Sequence, residues 1–230
     1  PFKIIFALQF LPLAFVASLF PALSSYWQSN RPQLSITFER AMNYLIIISL
    51  PIAAGGAVLA DKIILIFKSG FSDAVLPLQI CLAGAVFMFL NFPVGSLLNA
   101  CDRQRRNTIN MGITLAASLI LNLILISYYQ AVGASLTVLL TNILMFVLGL
   151  AVVPQIIKYN WKKIIIMAAK SLLAVAVMAA AAYYLKNQLN IILTVILSGA
   201  IYFSVLYLIK GFAKEDIISI YQSFSPKKIN

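Results

Sequence analysis

The sequence has no histidine, which removes the usual general base, the histidine-activated nucleophiles and most metal-site templates together. Acids are nearly as scarce. The six carboxylates, Glu39, Asp61, Asp73, Asp102, Glu215 and Asp216, all fall at the ends of apolar stretches or between them. A working carboxylate pair inside a buried cavity is therefore not expected. A nucleotide-binding glycine-rich loop is also missing, so ATP hydrolysis by this chain is not expected. From these absences we expect no enzyme activity, no metal and no cofactor. The two cysteines, Cys81 and Cys101, stand near opposite ends of one predicted helix, about 30 Å apart at 1.5 Å per residue. A disulfide requires a Cα separation of roughly 4.4–6.8 Å, so both read as reduced apolar fillers.

What the chain has is hydrophobic length. Of its 230 residues 62% are hydrophobic and 10% charged, with a mean hydropathy of +0.98. Soluble domains lie near 45–50% apolar and about 25% charged. Seven stretches, at 4–23, 43–60, 77–100, 109–129, 133–154, 164–185 and 191–209, are each long enough to cross about 30 Å of hydrocarbon. None alternates polar and apolar as a barrel strand would, so helices are predicted. The fold class is all-α: a polytopic transmembrane bundle over 1–210, followed by a charged cytoplasmic tail at 211–230.

Positive charge is sorted along this pattern. Arg31, Arg40, Arg103, Arg105, Arg106, Lys158, Lys162, Lys163, Lys170, Lys210, Lys214, Lys227 and Lys228 fall on one side of the alternating spans. Lys3, Lys62, Lys68 and Lys186 fall on the other. Lysine and arginine mark the cytoplasmic face, which puts the C-terminus inside and the N-terminus outside. The net charge of +11 is thus assigned to orientation and anionic lipid, with no nucleic acid partner. The chain opens on Pro1 with no signal-peptide pattern, and an external start suggests upstream spans.

Finer features follow. Trp27, Trp161 and the pairs Tyr128–Tyr129 and Tyr183–Tyr184 sit near span ends, as interfacial rings do. The link at 130–132 is so short that spans four and five should be antiparallel neighbours. Thr37 is a candidate N-cap for span two. Residues 61–75 read as a helix end and external loop, with a turn at 68–70. Span six is alanine-rich, a close-packing signal. Pro12, Pro21, Pro51 and Pro93 lie inside spans, where each frees a carbonyl four residues earlier (Leu8, Ala17, Ile47, Phe89) and bends the helix. Such bends serve ordinary packing or a cavity that changes shape during transport.

The remaining candidates for chemistry are polar residues within spans. Gln9, Asn91, Asn99, Asn122 and Asn142 need partners in hydrocarbon, and a set of amides would suit sugar hydroxyls. Arg40, Arg103 and Lys170 lie near the basic mouth and would attract a diphosphate, although orientation alone also accounts for them. The candidate substrate cavity is therefore Gln9, Arg40, Asn91, Asn99, Arg103, Asn142 and Lys170.

Four segments carry a resemblance: LQFLPLAFVASLFPAL at 8–23, IILIFKSGFSDAVLPLQI at 63–80, NFPVGSLLNACDRQRRNTIN at 91–110 and LILNLILISYYQAVGA at 119–134. In this order they resemble helices eight to eleven of the polysaccharide-biosynthesis branch of the multidrug/oligosaccharidyl-lipid/polysaccharide exporter superfamily. The resemblance implies the C-terminal lobe of a fourteen-helix, MATE-like, two-lobed transporter. It further implies a flippase that moves oligosaccharide repeat units linked to undecaprenyl diphosphate, partnered by the N-terminal half and by membrane lipids. A cation-coupled drug or metabolite antiporter of the same superfamily is disfavoured by the lack of a mid-span acid. A non-transporting membrane scaffold is the reading from another class. The sequence names neither the glycan nor the driving ion.

Overall fold

In the computed structural model, described here for residues 2–67 and 72–211, the chain is helical throughout the bundle. The helices are α1 (Phe2–Leu8), α2 (Phe10–Ser29), α3 (Arg31–Val58), α4 (Ala60–Phe67), α5 (Val75–Ala100), α6 (Gln104–Val152), α7 (Trp161–Leu185) and α8 (Ile191–Leu208), with short 3₁₀ turns at Ser72–Ala74 and Val153–Gln155. Six helical stretches are long and apolar enough to cross a bilayer. The predicted turn at 68–70 and the tail from 212 onward lie outside the described residues.

Length shows why α6 cannot be one rod. Forty-nine residues would run about 73 Å if straight, more than twice the hydrocarbon thickness. At Gln130 the backbone leaves helical geometry (φ 49°, ψ −121°) and the chain turns back. Thr114 Oγ1 then meets Met145 Sδ at 3.6 Å across the two arms. Gly133 makes the reversal possible, because a Cβ there would collide with the Leu125 carbonyl. The two arms, 104–129 and 131–152, are thus antiparallel neighbours, and the turn is tighter than the predicted link at 130–132.

Helix ends follow local chemistry. Asn30 caps α3, its Oδ1 accepting from Gln33 N at 3.1 Å, with Pro32 in the first turn. Thr37 is therefore no N-cap: it lies inside α3, whose start precedes it by almost two turns. Asp102 (φ 58°) and Lys210 (φ 52°) take the left-handed residue that closes α5 and α8. Arg103 N then bonds Leu98 O, and Gly211 N bonds Leu206 O, each at 2.8 Å. The first predicted span lies within one helical stretch, Lys3–Ser29, whose backbone stays helical at Gln9 (φ −61°, ψ −24°) although Pro12 deprives the Leu8 carbonyl of a donor. Residues 60–67 continue as the separate helix α4.

Small residues set the packing. Gly84 of α5 lets the backbone of Leu139 approach to 3.2 Å of where a Cβ would stand, and Gly149 makes room for the side chain of Val94. Together with Asn91 bonding Asn142, these pairs rise in step, so α5 and the return arm of α6 run parallel. Ser171, Ala174, Met178 and Ala182 make the buried stripe of α7, and Thr194, Ser198, Tyr202 and Leu206 that of α8. The main core gathers α2, α3 and α5 around Phe38, Leu78, Phe89 and Leu97.

Polar contacts tie the bundle at both ends. At one end Trp27 Nε1 donates to Asp102 Oδ2 (3.0 Å), Arg31 stacks 3.1 Å over the Trp27 ring, and Glu39 Oε1 accepts from Asn160 N (2.6 Å). This is also the end of Arg103, Arg105, Arg106, Lys158, Lys162, Lys163 and Lys210. At the other end Lys186 Nζ meets Asp61 Oδ2 at 2.9 Å.

Candidate functional site

Four membrane-crossing segments line an open space that carries polar groups. A cavity of about 740 Å³ lies between α2, α5 and both arms of α6. From α2 come Leu13, Val16, Ala17 and Phe20, and from α5 Met88, Asn91, Phe92, Gly95, Ser96 and Asn99. The first arm of α6 adds Asn107, Met111, Thr114, Leu115 and Ser118, and its return arm adds Thr141, Asn142 and Met145. The space is open rather than enclosed, and no charged side chain lines it.

The amides form two pairs. Asn91 Nδ2 donates to Asn142 O (3.1 Å) and, longer, to Asn142 Oδ1 (3.4 Å), while Asn142 Nδ2 returns to Val138 O (2.8 Å). Asn107 Nδ2 donates to Asn99 Oδ1 at 3.1 Å. Each pair bridges α5 and one arm of α6, so the amides hold the walls in register as well as lining them. Thr114 and Thr141 spend their hydroxyls on carbonyls of their own helix, Asn110 O at 2.8 Å and Thr137 O at 2.7 Å. Ser96 Oγ and Asn107 Oδ1 are buried with no hydrogen-bond partner. On the α2 wall, Pro21 denies the Ala17 carbonyl its helical donor.

Of the residues expected at the cavity, Asn91, Asn99 and Asn142 line it. Gln9 does not, but its Nε2 reaches Met88 Sδ at 3.2 Å, just behind the wall. Arg40, Arg103 and Lys170 stand outside it. Arg40 is half-buried on α3, which contributes nothing to the lining. Arg103 is exposed in the turn between α5 and α6. Lys170 Nζ donates to Lys210 O at 2.9 Å, satisfying a carbonyl at the negative end of α8. Among the prolines, Pro12, Pro21 and Pro93 lie in helices that form walls, while Pro51 lies in α3, away from the cavity. Asn122 keeps to its own helix, donating to Ser118 Oγ at 3.4 Å.

Sequence reasoning missed Ser96, Asn107, Thr114, Ser118 and Thr141. A signal was present: Asn107, Thr114 and Ser118 repeat at helical spacing on one face of the first arm. It was hidden because 101–108 reads as a basic loop, whereas α6 already begins at Gln104. Neither thiol adds chemistry. Both cysteines are buried, and burial pushes the Cys101 thiol up to about 11, leaving it protonated near neutrality.

No protein-family model matches the sequence. An "Uncharacterized membrane protein MJ1068" of Methanocaldococcus jannaschii is 26% identical over 223 residues, covering 94% of this chain and 42% of that protein. The solved structure of the lipid II flippase MurJ in an inward closed conformation superposes with a TM-score of 0.71 at 17% identity, over 91% of this chain and 45% of that one. The fold is thus that of a MurJ-like multi-pass membrane protein. The chain spans less than half the length of either relative.

Proposed function

We propose that this chain is the C-terminal lobe of a two-lobed flippase that moves saccharide units linked to a polyprenyl diphosphate of the undecaprenyl type. The observation that carries the reading is the cavity: an open, uncharged, amide-bearing space between proline-containing helices, in a fold shared with a lipid II flippase. A lipid-linked glycan needs a polar refuge for its headgroup while its tail stays in hydrocarbon, and this geometry offers one. The N-terminal half of the protein would supply the facing wall, and rocking of the two lobes would alternate access. The basic end, with Arg103, Arg105, Arg106, Lys162, Lys163 and Lys210, faces the cytoplasm in this reading, which makes the C-terminus cytoplasmic.

The test is transport by the full-length protein in proteoliposomes loaded with a fluorescent lipid-linked saccharide. Quenching from outside with a membrane-impermeant reductant should reach lipid that began in the inner leaflet, at a rate well above that of empty vesicles. Equal rates with and without protein, under an imposed ion gradient or none, refute the reading.

A further inference from the structure

We propose that the cavity holds the neutral sugar of the cargo and not its diphosphate, through a hydroxyl-binding subsite centred on Ser96 and Asn107. This rests on the transport reading above and narrows which part of the cargo each region serves.

Two observations carry it. First, Ser96 and Asn107 are only 7% and 8% exposed, yet both line the cavity, and Ser96 Oγ and Asn107 Oδ1 have no partner. Buried polar atoms are normally satisfied, so a pair left open on one wall marks where a ligand completes the bonding. They stand on different elements: Ser96 on α5, one residue from Gly95, and Asn107 on the first arm of α6, held there by Asn99. Gly95, next to Ser96, faces the Asn107 amide: a Cβ there would stand 3.7 Å from Asn107 Nδ2, in ordinary contact.

Second, among the described residues the lining carries no cation. A diphosphate moved from water to a wall of leucine, methionine, phenylalanine and neutral amides would lose its hydration with no opposite charge to replace it. A sugar hydroxyl is both donor and acceptor, which is what a serine hydroxyl and an amide can each answer. The cations that would suit a diphosphate, Arg103 among them, stand at the basic end, outside the cavity. The groups that this chain offers between α5 and α6 therefore answer the sugar, and the diphosphate is left to cations outside this lining.

Gly95→Cys places a reporter thiol at the subsite without removing any native side chain, and the parent protein, in which Cys81 and Cys101 are buried, gives the background. In proteoliposomes of the full-length protein, the labelling rate by a small maleimide is read with undecaprenyl-diphosphate-linked N-acetylglucosamine, with undecaprenyl diphosphate, and with neither. The sugar-bearing lipid should slow labelling severalfold and the sugar-free lipid should not. Adding Ser96→Ala should raise the lipid needed for half-protection about fivefold, the effect of one lost hydrogen bond. Equal protection by both lipids overturns the assignment, as does no protection by the sugar-bearing one or an unmoved half-protection point. Protection without transport in the flipping assay upholds the subsite and refutes the transport reading. Transport without protection does the reverse.

Discussion

Pro51 leaves a debt in the middle of α3 that α8 settles, and this contact can be measured. Without an N–H at residue 51, the Ile47 carbonyl has no helical donor. Tyr202, fully buried on α8, donates its hydroxyl to that carbonyl at 2.9 Å. Tyr202→Phe keeps the ring and its packing but leaves the carbonyl unpaired in an apolar core. An orphaned buried acceptor costs about 1–3 kcal/mol, and hydrogen bonds inside membrane proteins average nearer 0.6. We expect a loss of about 1–2 kcal/mol, read by SDS-titrated unfolding in detergent. The decisive measurement is the double-mutant cycle. Pro51→Ala restores an N–H to Ile47, so Tyr202→Phe made in that background should cost about 1 kcal/mol less than in the parent. Additivity to within about 0.5 kcal/mol would show that the phenol does not answer the proline-freed carbonyl, and the reasoning would fail.

Other outcomes follow from the same geometry. Gly84→Val should destabilise by about 1–3 kcal/mol because its Cβ would press on the Leu139 backbone, whereas Gly112→Ala, with open space around it, should be neutral or slightly stabilising. Equal midpoints for the two in the same titration would contradict the close crossing of α5 and α6. At Asp61, burial acts to raise the carboxyl, but the hydrogen bond and charge of Lys186 outweigh it and hold it below its ordinary value. The stabilisation is then complete above the ordinary carboxylate range and fades as pH falls through the lowered value. Because Asp61 is 43% exposed, the Asp61→Asn loss should be only about 0.5 kcal/mol at pH 7 and vanish once the pH is below the lowered value; a pH-independent difference argues against the pair. Reporter fusions after Ser135 and after Asn230 should report opposite compartments. A shared compartment would refute the proposed crossing map.

The extent of foresight varied with how local the governing physics is. Helix N-capping at Asn30 was legible, since an asparagine before Arg31–Pro32 is a start signal, but the apolar run beginning at Asn43 drew attention past it. Lys170 was legible as a cation near the basic mouth and not as a donor to Lys210 O, because that partner arrives from the end of α8, forty residues on. Asn91, Asn99 and Asn142 stood out as amides in apolar runs. Their pairing did not: a reversal at 130–132 was expected, but the height at which the return arm meets Asn91 is set by the packing of α5 on α6, which no local signal fixes.

What the sequence determined alone is a bundle of apolar helices with charge sorted to its ends and carbonyls freed by known prolines. Hydrophobic length, the missing proline N–H and the cost of burying a cation act within a turn or a span. Only the tertiary structure decided which carbonyl Tyr202 serves, which amides share a wall, and that Ser96 and Asn107 face a cavity without partners. Those outcomes depend on which helices touch and at what height, and in an apolar bundle the closest approaches are set by small residues, here Gly84 and Gly149, that leave only faint marks on composition.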